Sequence, residues 1–108
     1  MTRFLVLYRA PVSAREQMAK VTQQQAQAGM ELWQVWTGKA GSAIADLGAP
    51  LGDAAMVGNG EAYGDIVGYS ILETESDDAM QDLLRDHPHF HTPKGQVEFH
   101  EILPVPGT

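Results

Sequence analysis

Apolar positions divide the chain into segments of two periods. "RFLVLYR", residues 3–9, is apolar on both alternating faces, with Phe4, Val6 and Tyr8 on one and Leu5 and Leu7 on the other, as in a strand covered on both sides. Pro11 ends it. Ser13 followed three residues later by Glu16 fits a capping box and opens a short helix from about Ala14 to Val21. Thr22 with Gln25 repeats the signal and starts a longer helix, over about Gln23 to Asp46. Along it Ala26, Met30, Trp33, Thr37, Ala40 and Ile44 recur at helical spacing beside a second stripe of Trp36, Ala43 and Leu47. Gly29, Gly38 and Gly41 each weaken a helix by about 1 kcal/mol relative to alanine. Either close backbone approach offsets that cost or the helix breaks near Gly38.

"LGAPLGD", residues 47–53, reads as a turn, "AAMVGN" after it as a short strand, and "GNGEAYGD", residues 58–65, as a hairpin loop. "IVGYSILETE" has high strand propensity, and its Gly68 and Ser70 leave room on one face. Ser76 caps the next helix, with Asp77 and Asp78 at the positive end of its dipole and Met80, Leu83 and Leu84 on its buried face. Pro88 disfavours helix at His87 and closes it. "GQVEFHEILP" is the last strand, alternating Val97, Phe99 and Glu101 against Glu98, His100 and Ile102.

The order β-α-α-β-β-α-β predicts an α+β fold, the ferredoxin-like β-α-β-β-α-β plan with an extra helical segment in the first crossover and a four-stranded antiparallel sheet. Helices on one face leave the other bare. Whichever face they cover, either Phe4, Val6 and Tyr8 or Leu5 and Leu7 lie opposite, so a two-fold dimer with sheets facing each other is expected.

Composition narrows the function classes. At 108 residues the chain is expected to be a single domain over 1–108, and 44% hydrophobic with 19% charged residues suits an ordinary packed core. The absence of cysteine excludes disulfides, thiolate metal sites and cysteine nucleophiles. The first strand begins at Arg3 and no apolar run approaches roughly 18 residues, so neither signal peptide nor membrane span is read and a cytoplasmic location is the default. A net charge of -7 without a lysine or arginine cluster argues against nucleic acid as a partner.

All four histidines fall in "RDHPHFHTPKGQVEFHEI", residues 85–102. His87 ends the third helix, where a cation would interact favourably with the dipole. His91 precedes Thr92-Pro93 in an exposed turn. His89 and His100 remain as candidates for acid-base catalysis, paired with Glu98 or Asp86, in a pocket whose lining would come from Tyr8, Trp36 and Tyr69. Trp33 is read as core. H-x-H supplies only two metal ligands, the flanking Pro88 and Pro93 bend the backbone, and no H-E-x-x-H spacing exists, so neither a metal nor another cofactor is expected. Ser42 and Ser70 have no identifiable base beside them, and the Gly-rich loop lacks the lysine of a phosphate loop.

"FLVLYRAP", "AGMELWQVWTGKAGSAIADLGAPLG", "VGYSILETESDDAM" and "HPHF" leading to "GQVEFHEILPV", in this order, resemble the YCII-related proteins of the dimeric α/β-barrel superfamily over nearly the whole chain. Where better-known members carry Asp-Gly-Pro, this chain has Val57-Gly58-Asn59-Gly60. The resemblance implies a homodimer of ferredoxin-like chains and a characteristic Pro88-His89 position. It also implies kinship with enzymes of aromatic-compound breakdown, some of which are thought to use a histidine-aspartate pair. The expected function is binding or transformation of a small apolar or aromatic metabolite by histidine acid-base chemistry. The alternative is a non-catalytic dimeric interaction or accessory domain.

Overall fold

The computed structural model describes residues 1–60 and 65–107. The chain runs β1 (Thr2–Arg9), α1 (Ala14–Lys20), α2 (Gln23–Ala40), a 3-10 turn (Gly41–Ala43), β2 (Ile44–Pro50), β3 (Ile66–Thr74), α3 (Asp77–Leu84), a second 3-10 turn (Pro88–His91) and β4 (Gln96–Glu101). The strands form one antiparallel sheet in the order β2-β3-β1-β4, the ferredoxin-like arrangement with β1 and β3 at its centre.

All three helices start where the caps predict. The Ser13 hydroxyl accepts from the Glu16 amide, Thr22 and Gln25 bond reciprocally, and Ser76 accepts from the Ala79 amide. Strand register then sorts the side chains. Phe4, Val6 and Tyr8 on β1 face the helices with Ser70 and Leu72 on β3, and the core closes over them with Trp36, Ala40, Met80 and Leu84. Phe99, paired with Val6, meets Phe4 edge-to-face at 5.7 Å between centroids. Leu5, Leu7, Tyr69 and Ile71 lie on the opposite, open face and stay half-buried.

Two expected elements differ. The second helix ends at Ala40, not Asp46, and residues expected to continue it, then to turn, form β2. Gly41 has a φ of 54°, a left-handed conformation that glycine adopts without steric cost, and the helix stops there. β2 is an edge strand with two register shifts against β3, between Ile44 and Asp46 and between Asp46 and Ala49. Gly48 lies in the second shift at φ 80°, so close to the Tyr69 carbonyl that a Cβ would overlap it. A bulged edge strand accommodates the glycine and Pro50 that otherwise read as a turn. The "AAMVGN" segment, read as the strand, is exposed and outside any strand. Of the loop read over residues 58–65, residues 61–64 lie outside the described residues. Only the C-terminal half of α2 docks: Trp36 and Ala40 are buried, whereas Ala26 and Met30 of the expected stripe are exposed.

Candidate functional site

The β1 end of the core, the Pro88–His91 turn and the bulged β2 edge together enclose a cavity of about 350 Å³. Tyr8 and Val67 come to it from the central strands, Trp33 from α2, Met18 from α1, Gly48 from β2 and His89 from the turn. Its walls are therefore mostly apolar and aromatic, with few polar groups, the composition of a small-molecule site.

His89 is held from two sides. Its Nε2 lies 2.8 Å from the Arg9 carbonyl, which only accepts, so the Nε2–H donates and in the neutral ring Nδ1 carries the lone pair. Its backbone N–H donates to Nδ1 of His87 at 3.0 Å, the side-chain cap of the 3-10 turn. Gly95 packs so tightly beneath that a Cβ there would stand 2.5 Å from the His89 carbonyl and 3.2 Å from its Nε2.

His87 is 1% exposed and packed among aromatic rings: stacked on Tyr8 at 4.8 Å, and near-perpendicular to Trp33 at 4.7 Å. Because Nδ1 accepts from His89, the neutral ring carries its proton on Nε2, which has no hydrogen-bond partner among the described residues. Burial pushes its pKa down to about 3, with a smaller contribution from neighbouring His89. His87 therefore ends the helix as a neutral aromatic ring, not as the expected cation on the dipole. Tyr8 is also neutral. Its hydroxyl donates to Ser70 Oγ at 2.8 Å, Ser70 in turn donates to the Leu47 carbonyl at 2.5 Å, and burial pushes the phenol up to about 12.

Of the six site residues read from the sequence, Tyr8, Tyr69 and His89 border this cavity, Tyr69 from β3 with its hydroxyl 3.5 Å from Asp46 on the open-face side. Trp36 is buried behind them, its indole N–H donating to the Leu83 carbonyl. Glu98 and His100 pair with Leu7 and Leu5 and so lie across the sheet, on the open face. There Glu98 bridges His100 and Arg9, and those two partners, His100 first, hold its carboxyl below the usual range; Arg9 also binds Asp65 through two nitrogens. The sheet thus separates His89 from His100. Sequence reasoning missed Trp33 and Met18, because helical spacing marks which side of a helix faces inward but not which inward residue borders empty space. His91 is exposed, and among the described residues no group of three or more His, Asp or Glu is arranged to hold a metal ion.

No protein-family model matches the chain, and neither does any curated protein. Among solved structures it is similar to 5-chloro-2-hydroxyhydroquinone dehydrochlorinase from Burkholderia phenoliruptrix AC1100, in complex with 2,5-dihydroxybenzoquinone. The TM-score is 0.50 and the identity 17%, over 89% of this chain and 90% of that one. At this identity the likeness is one of fold, and it agrees with the ferredoxin-like sheet order.

Proposed function

We propose that the chain binds a small hydroxylated aromatic molecule in the cavity beside Tyr8 and Trp33, with His89 as the proton acceptor. The observation that carries this reading is the division of labour on the His89 ring: Nε2–H is fixed to the Arg9 carbonyl, and the Nδ1 lone pair has no protein partner among the described residues. A cavity of about 350 Å³ suits one substituted ring, and aromatic walls offer stacking surface. The similar fold of an enzyme that acts on a hydroxyhydroquinone supports the choice of ligand class. In this reading Tyr8 and Trp33 hold the ring, Tyr69 borders the entrance, and Trp36 and His87 are positioning residues.

The experiment is a titration with catechol, hydroquinone and chlorinated hydroxyhydroquinones, following tryptophan emission for binding and the ultraviolet spectrum of the quinol for turnover. His89→Gln should keep binding within a fewfold and abolish turnover. Binding by none of the panel, or turnover unchanged in that variant, defeats the reading. Binding with no turnover in either protein would favour the non-catalytic module.

The open face favours a second part of the reading: a homodimer of the dimeric α/β-barrel type, with the sheets meeting through Leu5, Leu7, Tyr69 and Ile71. What supports it is the pattern of half-buried apolar side chains flanked by the Asp65, Arg9, Glu98 and His100 network.

A further inference from the structure

A second concavity shares Trp33 with the first, a groove of about 840 Å³ between α1, α2 and the Thr92–Gly95 turn. Its apolar wall includes Val21, Leu32 and Trp33, and Lys20 and Lys94 line it from α1 and the turn. Although the chain carries 14 acidic residues, no Asp or Glu lines this groove among the described residues.

The cations here are also unlike the others. Arg3, Arg9, Lys39 and Arg85 are each paired with a carboxylate. Among the described residues the basic side chains without such a pair are Arg15, Lys20 and Lys94, and two of these three line the groove. Lys94 is further distinguished by its backbone. The Gly95 N–H donates to the Thr92 carbonyl at 2.9 Å, closing a turn with Pro93 second and Lys94 third, and Lys94 has φ 56°. Glycine or asparagine is the residue such a position ordinarily takes. Lys94 is the only non-glycine at positive φ among the described residues, so the turn carries a strain that glycine or asparagine would relieve.

We propose that this groove is a second ligand site, for a small apolar carboxylate whose hydrocarbon body lies against Leu32 and Trp33 and whose anionic head sits between Lys20 and Lys94. Charge complementarity selects the anion, since an open, carboxylate-free groove with two unpaired ammonium groups is a local reversal of the net charge of -7. Apolar walls favour an anion with a hydrocarbon body over inorganic phosphate. The site is independent of the chemistry proposed at His89, but Trp33 borders both spaces and so reports on either.

The test compares 4-phenylbutyrate with its neutral analogue 4-phenylbutanamide by calorimetry and by amide and indole NMR on the full chain. The acid is expected to bind at least about fivefold tighter than the amide, the scale of two exposed ion pairs. It should shift the Trp33 indole and the Lys20 and Lys94 amides. Lys20→Met with Lys94→Asn should bring the acid to the affinity of the amide. Lys94→Asn alone should keep or raise the Tm while weakening the acid, a combination that a structural role for the lysine does not give. Equal affinity of acid and amide, unchanged affinity in the double variant, or no binding up to about 10 mM overturns the proposal. So does binding that shifts the amides of Met18 and Gly48, which line only the other cavity, in place of those of Lys20 and Lys94.

Discussion

Tyr8 and His87 lie ring over ring, 4.8 Å apart and 27° from parallel, although they come from the first strand and from the residue before the second 3-10 turn. The stack joins the sheet to the segment that carries His89, and it works only while His87 is uncharged. An imidazolium there would lose hydration, a cost that the attraction of the neighbouring Asp86 carboxylate does not offset.

Stability should therefore fall on mild acidification. In the unfolded chain His87 takes up a proton near its ordinary 6.5, whereas in the folded chain it does so only near about 3. Between these values the unfolded state holds one more proton, so stability is present above about pH 6.5 and is lost as pH falls, by roughly 1.4 kcal/mol per pH unit at most. Denaturant unfolding at pH 7.5 and pH 5 should differ by about 2 kcal/mol. His87→Asn keeps a side-chain acceptor for the turn but removes the titration. It should be less stable at pH 7.5 and show a flatter dependence across this interval; an equal slope in both proteins would refute the assignment.

How much of this was legible depends on how local each signal is. The caps at Ser13, Thr22 and Ser76 and the alternation in β1 and β3 act within a few residues, and they predict those elements correctly. The boundary between α2 and β2 was not legible, because Ala43, Ile44 and Leu47 fall by coincidence at helical spacing while Gly48 and Pro50 resemble a turn. What decides there is pairing with β3, across more than twenty residues. The site was half legible. His89, Tyr8 and Tyr69 do meet at one cavity, but alternation places His100 and Glu98 on one face without saying which, and only the register against Leu5 and Leu7 puts them across the sheet. Nothing local separates a dipole-bound cationic His87 from one enclosed by Trp33, Trp36 and Tyr8.

The hydrogen-bond chain from Tyr8 through Ser70 to Leu47 gives an asymmetric prediction. Tyr8→Phe leaves Ser70 still donating to the Leu47 carbonyl and should cost about 1 kcal/mol. Ser70→Ala strands both the buried phenol and that carbonyl and should cost more, about 2 kcal/mol. Chemical denaturation of the two variants checks the order, and a double variant costing no more than Ser70→Ala would show that the two hydroxyls act as one unit.

Gly95 should be nearly irreplaceable for the site. Alanine there places its Cβ 2.5 Å from the His89 carbonyl and 3.0 Å from the Thr92 carbonyl, both backbone atoms that cannot swing aside. Gly95→Ala should destabilise by about 2 kcal/mol or more and move the His89 ring resonances. Gly38→Ala, where a Cβ meets nothing within 4 Å, should instead stabilise α2 by up to about 1 kcal/mol. Thermal melts with histidine-ring NMR separate the two, and comparable Tm values for both variants would contradict the packing described around His89.

The open face gives the last prediction. Leu7 is paired with Tyr69 on one side and Glu98 on the other, at the centre of the face with no helix over it. If two chains meet there, light scattering at micromolar concentration should give twice the mass of one chain. Leu7→Asp, which puts a carboxylate beside Glu98 in the middle of the contact, should reduce that to a single mass. The monomer should keep its helical circular dichroism, because Phe4, Val6 and Tyr8 on the other side of β1 are untouched and still hold the helices. A single mass for the unaltered chain, or an unaltered double mass in Leu7→Asp, would refute a contact between two copies through this face.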